Sequence, residues 1–313
     1  MERDARIFVA GHRGLVGSAI VRALVGQGFL DLVLRTRDEL DLTDQRAVEG
    51  FFSAERPHYV FLAAARVGGI LANQKYPAQF LRDNIAIQTN VIDAAYRYGV
   101  RKLLFLGSSC IYPKHARQPM REPDLLTGPL EPTNEWYAIA KIAGVKMCEA
   151  YRLQYGFNAI AVLPTNLYGP GDNFSLSGSH VLPALIRKIH QAVVSRSQEV
   201  EVWGSGSPRR EFMHVDDLAD ACLFLMQSSS DVTLANIGWG KDISIRELAE
   251  SLARTIGFRG CLRFDPSKPD GTPRKLLDTS RMQTLGWTPR IPLSLGLAST
   301  YKWYVDHINQ LRE

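Results

Sequence analysis

Short apolar runs alternate with longer helical patterns through the first 165 residues. The runs are Arg6–Ala10, Leu32–Leu34, Tyr59–Ala63, Lys102–Leu106 and Asn158–Leu163, and the helical patterns lie near 15–27, 44–54, 77–98 and 134–155. Beyond the polar residue that opens some of them, the runs are continuously apolar rather than apolar at every second residue, so each strand must be covered on both faces. That rhythm predicts parallel strands joined by crossover helices, an α/β doubly wound parallel sheet of Rossmann type. After Pro164 the pattern loosens into "PTNLYGPGDNFSLSGSH", a long loop of the kind that is usually functional or disordered. A helix over His180–Val194, a strand at Val200–Trp203, helices at Val215–Met226 and Ile245–Ile256 and a strand at Cys261–Phe264 follow. The expected organisation is a first domain over 1–167 with a returning segment at about 212–240, and a smaller C-terminal α/β lobe over about 168–211 and 241–313.

Composition narrows the function classes. No apolar run approaches the roughly 18 residues of a membrane helix, and "MERDARIFVAG" has no apolar core of a signal peptide. Cys110, Cys148, Cys222 and Cys261 are far apart in sequence and form no CxxC pair, which fits neither a disulfide framework nor a zinc site and suits a reducing cytoplasm. Net charge is +5, yet 37 basic and 32 acidic residues are interleaved without a basic arm, which argues against a nucleic-acid partner. The basic pairs Arg209-Arg210 and Arg274-Lys275 suit a phosphorylated small molecule better.

"RIFVAGHRGLVGSAIVRAL" places Gly11, Gly14 and Gly17 at the first strand-to-helix turn. Glycines there allow a tight turn and let backbone N–H groups approach a pyrophosphate at the positive helix end. An NAD site usually carries an acid at the end of the second strand to grip the ribose 2′-OH. In "DLVLRTR" the acid, Asp31, stands at the wrong end, and the strand finishes on Arg35 and Arg37, with Arg13 inside the glycine loop. Guanidiniums converging on the ribose suit a 2′-phosphate, so the expected cofactor is NADP(H).

"EPTNEWYAIAKIAG" sets Tyr137 and Lys141 four residues apart on one helix face, with Cβ atoms about 5–6 Å apart. A nearby ammonium is expected to lower the phenol pKa toward a usable acid. "LFLGSSCIYPK" ends a buried strand on Ser108, Ser109 and Cys110 rather than on ordinary turn residues. With the glycine loop, these segments resemble the extended short-chain dehydrogenase/reductase family. That resemblance implies a catalytic Ser108, Tyr137 and Lys141, and cofactor segments at Ala63–Ala65 and Pro164–Asn166. It further implies cofactor contacts at Gly11, Arg13, Gly14, Leu15, Val16 and Gly17, at Arg37, Asp41 and Leu42, and at Leu106, Gly107, Ser108 and Ser109. The remaining ones are Tyr137, Lys141, Pro164, Thr165, Asn166, Leu167 and His180.

"GSSCIYPK", "PTNEWYAIAK", "PTNLYGPGDNF", "SHVLPALIRK", "VWGSGSPRREFMHVDD" and "KPDGTPRKLLD" are similar to the branch of that family that acts on GDP-4-keto-6-deoxy-D-mannose, from Gly11 to about Tyr304. In that branch C3 and C5 are epimerised and C4 is then reduced with NADPH. The resemblance implies Cys110 as base and His180 as acid of epimerisation, Tyr137 as proton donor of reduction, and GDP-sugar contacts at Lys188, Trp203, Arg210 and Asp270. It also implies a homodimer packed through the helices near 77–98 and 134–155.

The chemistry is coherent on its own terms. Donors fixed on the C4 carbonyl stabilise both the enolate of proton exchange and the alkoxide of hydride attack. Inverting a centre needs a base on one face and an acid on the other, which one tyrosine cannot supply. The plainer readings are a buried structural thiol at Cys110, a structural or pyrophosphate-binding His180, and a core Trp203. A helix N-terminus should lower the His180 pKa, against an acid role, while the GDP pyrophosphate would push it back. Cys148 and Cys222 read as core, and His12 as a loop-orienting residue. The competing functions are a nucleotide-sugar 4-epimerase or 4-ketoreductase of the same family, and a non-catalytic NADP-binding redox sensor.

Overall fold

All four side chains of Ile7–Ala10 are buried, and alternate positions enter different cores. Phe8 packs with Val60, Leu62 and Phe105 on one face, while Ile7 and Val9 pack with Phe61, Leu104 and Val162 on the other. Successive side chains of a strand point to opposite faces, so a uniformly apolar run fits only a sheet covered on both sides. The computed structural model describes every residue of the 313 except 176–177, 229–230, 269 and 311–313. Parts of the loop 164–180 and of the segment 268–278 therefore lie outside the described residues.

The first half runs β1 (Ile7–Ala10), α1 (Leu15–Gly26), β2 (Leu32–Val33), α2 (Gln45–Glu55), β3 (Tyr59–Leu62), α3 (Ile70–Lys75), α4 (Pro77–Arg97), β4 (Lys102–Leu106), α5 (Glu135–Tyr155) and β5 (Ala159–Pro164). The second half adds β6 (Asn166–Tyr168), α6 (Val181–Val194), β7 (Glu199–Trp203), β8 (Arg209–His214), α7 (Val215–Gln227), β9 (Leu234–Ile237), β10 (Asp242–Ser244), α8 (Ile245–Ile256), β11 (Cys261–Asp265) and β12 (Arg274–Lys275). The main sheet is parallel throughout, in the order β2-β1-β3-β4-β5-β9. The order reverses between β1 and β3, and the carboxyl ends of strands at such a switch point are where open α/β sheets bind ligands.

α4 and α5 cover one face, through Val91, Ile92 and Val145. α1 and α7 cover the other, through Ile20, Leu24, Leu218 and Cys222. A third core, with Leu185, Ile186, Ile189, Val200, Val202, Leu248 and Leu252, lies under α6, β7 and α8. Here β8 is flanked by β10 and β12 and also pairs with β6, while β7 pairs with β11. The short strands β6, β10 and β12, the longer strands β8 and β9 and the helix α3 go beyond the sequence expectation. Strands of two or three residues carry no period, and β12 exists only because β8 lies beside it. Among the described residues no helix is long and apolar enough to cross a membrane.

Candidate active site

The glycine turn closes tightly at the carboxyl end of β1. Gly11 has φ +84°, and a side chain on it would come within 2.8 Å of the Ala64 amide, while one on Gly17 would lie 2.1 Å from the Gly11 carbonyl. The start of α1 is thereby pressed against the β1 exit and Ala63–Ala65. No side chain caps α1 at Gly14, so among the described residues the N–H groups of Leu15 and Val16 are free to face an anion. Arg13 and Arg37 are exposed beside this turn, and neither has an ion pair among the described residues. An uncapped helix end flanked by two unpaired guanidiniums fits a dinucleotide with a 2′-phosphate.

Arg35 corrects the expected trio. It pairs with Glu55, donates to the Leu34 carbonyl at 3.0 Å and stacks 5.8 Å over Phe51, so it faces α2 rather than the ribose position. Asp41 accepts from Thr43 N at 2.9 Å and Thr43 Oγ1 at 2.8 Å, which hold its carboxyl below the usual range, with Arg37 adding to the effect. The Leu42 carbonyl accepts from Asn90 at 3.0 Å. Pro164 ends β5, Asn166 and Leu167 belong to β6, and Thr165 and Asn166 donate to the Glu211 carbonyl at 3.1 and 2.8 Å. His12 has an unpartnered Nδ1, and burial, reinforced by Arg13, lowers its pKa.

The end of β4 builds one wall of a cleft. After Leu106 and Gly107 the backbone at Ser108 is extended, and a single 3-10 turn over Ser109–Ile111 brings the Ser108 and Cys110 side chains together. Ser108 Oγ donates to Cys110 Sγ at 3.0 Å and accepts from Cys110 N at 3.3 Å, while Ser109 is buried. Lys141, 3% exposed, donates from Nζ to the Leu106 carbonyl at 2.7 Å and lies 5.9 Å from the Tyr137 ring centre. Burial pushes the Lys141 ammonium down to about 8. The Tyr137 phenol is raised rather than lowered, which corrects the expectation from helix spacing. Burial, with the neighbouring Cys110 sulfur adding to it, outweighs a lysine whose proton is directed at Leu106. Burial likewise raises the Cys110 thiol, and Lys275, Ser108 and Lys141 pull it back.

The opposite wall comes from later segments. His180 is the N-cap residue of α6 but its side chain makes no cap, and burial and the Lys275 ammonium lower its pKa. Arg210 on β8 and Lys275 on β12 are register partners, and Asp270 acts electrostatically on Arg210. Both Asp270 carboxylate oxygens are engaged by Ser205, at 2.7 and 2.8 Å. Trp203 is 51% exposed, not core, with Lys188 and Lys268 ammoniums 5.0 and 5.7 Å from its ring centre. Lys188 also donates to the Glu201 carbonyl at 3.2 Å. Cys110, Tyr137, His180, Arg210 and Lys275 are each crowded by protein yet reachable by solvent, the signature of a concave site. Cys148 and Cys222 are core.

From the sequence, Lys275 has only a share in a basic pair suited to a phosphorylated small molecule, and the fully buried Glu211 has no role. The Arg274-Lys275 pair was a visible signal for the first; an isolated glutamate after two arginines gave none for the second.

Comparison with known proteins converges on one family. Residues 7–238 match the NAD dependent epimerase/dehydratase family. GDP-L-fucose synthase 1 of Arabidopsis thaliana is 62% identical over 307 residues, covering 98% of this chain and 95% of that protein. GDP-L-fucose synthase of Escherichia coli (strain K12) is 56% identical over 316 residues, covering 98% of each. The crystal structure of a GDP-L-fucose synthetase from Naegleria fowleri bound to NADP superposes with a TM-score of 0.93 at 28% identity, covering 100% of this chain and 96% of that one. The chain belongs to the GDP-L-fucose synthases, within the NAD dependent epimerase/dehydratase family of extended short-chain dehydrogenases/reductases.

Proposed function

We propose that the chain converts GDP-4-keto-6-deoxy-D-mannose to GDP-L-fucose, epimerising C3 and C5 and then reducing the C4 ketone with NADPH. The observation that carries the reading is the Ser108–Cys110 pair, 3.0 Å apart at the end of β4 and beside Tyr137. In this reading Ser108 and Tyr137 donate to the C4 oxygen, and the carbons on either side of that carbonyl become acidic enough for Cys110 to deprotonate. His180 returns the proton on the opposite face. Lowered by burial and Lys275 in the free protein, its pKa would be raised again by the diphosphate of the bound nucleotide sugar. Tyr137, held as a neutral phenol by burial, is in the right state to protonate the alkoxide. Bound along Gly11–Gly17, with Arg13 and Arg37 at its 2′-phosphate, NADPH supplies the hydride.

Lys188, Trp203, Arg210 and Asp270 take the GDP moiety in the same reading, from the lobe formed by 168–211 and 241–313, and 1–167 with 212–240 carries the cofactor. A homodimer through α4 and α5 would cover Ile85, Trp136 and Ile139, which are exposed. In the same reading the enzyme works in the cytoplasm, which the four free cysteines support.

Proton NMR of the product formed in deuterated water tests the reading. The expected product carries deuterium at C3 and C5 and unlabelled hydride at C4. Reduction without deuterium at either carbon would leave a plain 4-ketoreductase and return Cys110 to packing.

A further inference from the structure

Two buried asparagines hold the main chain that links β3 to α4. Asn84 Oδ1 accepts from Arg66 N at 2.8 Å, and its Nδ2 donates to the Arg66 and Phe80 carbonyls at 3.0 and 2.7 Å. Asn73, on α3, donates from Nδ2 to the Gly68 and Gly69 carbonyls at 3.0 and 3.1 Å. Both side chains are buried, where a hydrogen bond is stronger than in water and its loss leaves a carbonyl unsatisfied. The run Arg66–Gly69 is therefore a fixed piece of main chain.

Its two glycines touch different parts of the site. A Cβ on Gly68 would come within 2.9 Å of Ala72 Cβ and 3.1 Å of the Phe80 ring, and Phe80 in turn packs edge-on against Tyr137, with ring centres 6.4 Å apart. A Cβ on Gly69 would lie 3.4 Å from the Ser179 carbonyl oxygen and 3.6 Å from that of Gly178. With φ −68° and ψ −178°, the Gly69 backbone suits any residue, so the space beside it, enough for a methyl and little more, is what favours glycine. The residue after Ser179 is His180, whose carbonyl accepts from Ala184 N at 3.1 Å and so opens α6. The loop before it is closed on itself: Ser175 accepts from Gly178 N at 3.0 Å and from Ser179 Oγ, and the buried Phe174 packs 4.8 Å from Tyr304 between ring centres. Neither side of this contact has slack for a longer side chain at 69.

We propose that Gly68-Gly69, held by Asn73, is a spacer that sets how far His180 stands from Tyr137. Tyr137, Phe80, Gly68, Gly69 and Ser179 form a continuous run of contacts from the proton donor of reduction to the residue next to the acid of epimerisation. That acid must reach C3 and C5 while the C4 oxygen stays on Ser108 and Tyr137, so inversion depends on the separation of the two groups. Hydride transfer at C4 does not. A misplacement of about 1 Å can cost on the order of 10²-fold in rate. Gly69 and Asn73 act through His180 and are positioning residues; the proposal rests on His180 as the epimerisation acid.

The test compares the two directions of the reaction. Forming GDP-L-fucose from the keto-sugar needs inversion, whereas oxidising GDP-L-fucose at C4 with NADP+ reverses the hydride step and moves no proton at C3 or C5. Gly69→Val adds two methyl groups to a Cβ already in contact with two carbonyls. It is expected to slow formation of GDP-L-fucose deuterated at C3 and C5 at least about tenfold, while NADPH formed from GDP-L-fucose in a single turnover stays within about twofold. Gly69→Ala, whose methyl only reaches van der Waals contact, should slow the forward reaction by no more than about threefold. Should Gly69→Val fail to fold, as read by its urea midpoint, Asn73→Ala releases the two glycine carbonyls and should give the same split. A folded Gly69→Val or Asn73→Ala chain with the parent's forward rate overturns the proposal, as does an equal loss in both directions, which would make the segment general scaffold. His180→Gln, run alongside, separates the spacer from the acid. If it keeps the forward rate, the acid assignment falls and the spacer with it; if it alone loses that rate, only the spacer falls.

Discussion

The wall formed by β1, β4 and α5 and the wall formed by β8 and β12 face the same cleft but are held by different means. Behind the first lie a continuous parallel ladder and two apolar cores, and its working side chains project from strand ends and one long helix. Behind the second lies a two-residue strand tied by polar contacts to a single buried carboxylate. Glu211 accepts from Gly240 N at 2.6 Å and Leu277 N at 3.0 Å, and its own carbonyl receives Thr165 and Asn166. Burial pushes its pKa up and those backbone donors pull it back. Apolar burial is non-directional and spread over many residues, whereas a buried polar clasp fails when one member is wrong. The first wall should therefore lose function only where a reacting group is removed, and the second wherever its clasp is disturbed.

Cys110→Ser gives the largest expected effect. Losing a positioned base costs on the order of 10²–10⁴-fold. Deuterium incorporation at C3 and C5 should fall by that much, while NADPH affinity, set by the glycine turn, stays within twofold. A fall in NADPH affinity of similar size would show that the end of β4 is no independent scaffold. Next in size, Arg13→Ala with Arg37→Ala removes charge-assisted contacts worth roughly 1.5–3 kcal/mol each. The NADPH-over-NADH ratio of kcat/KM should drop by at least 10²-fold, with exchange at C3 and C5 unaffected once cofactor is saturating. An unmoved ratio would remove the 2′-phosphate from the reading.

Glu211→Gln separates the walls. An amide nitrogen would face a backbone N–H in place of an oxygen, leaving buried donors unsatisfied at a cost of about 1–3 kcal/mol. The urea midpoint should fall, and KM for the GDP-sugar should rise several-fold as β12 loosens. NADPH affinity should hold, because Thr165 and Asn166 bind the main-chain carbonyl of Glu211, which the substitution keeps. Equal losses of both affinities would mean that the two walls are one unit.

The same contrast explains what could be read in the sequence. Uniformly apolar strands and glycines at a turn are local signals, and so are Tyr137 and Lys141 at helical spacing; the parallel sheet and the first wall were visible in them. Lys275 was visible only as half of a basic pair, because which of Arg274 and Lys275 turns inward is decided by pairing with a strand more than sixty residues earlier. Arg35 went wrong for a related reason: its partner, Glu55, closes α2 and comes near only after folding. Glu211 gave no signal because its donors, Gly240 and Leu277, are backbone groups of distant segments.

The first wall does carry one cost, and it gives the smallest effect. Burial lowers Lys141 from 10.5 to about 8, so burying its ammonium costs on the order of 3 kcal/mol. Lys141→Met removes that penalty and takes the donor from the buried Leu106 carbonyl, a loss of about 1–3 kcal/mol, for a net gain of at most about 2 kcal/mol. The variant should be more stable than the parent at pH 7 and unable to carry out reduction. The sign is checked by pH. Below about 8 both folded and unfolded chains hold the proton, and the parent bears the full cost. Between about 8 and 10.5 the unfolded chain binds more protons than the folded one, so parent stability rises with pH while the variant lacks that gain. Urea unfolding of the pair at pH 7 and pH 10 should show the advantage shrinking toward zero or below. An advantage that is constant with pH would mean that the gain comes from packing of the methionine, and that the ammonium is better solvated in the cleft than its contacts indicate.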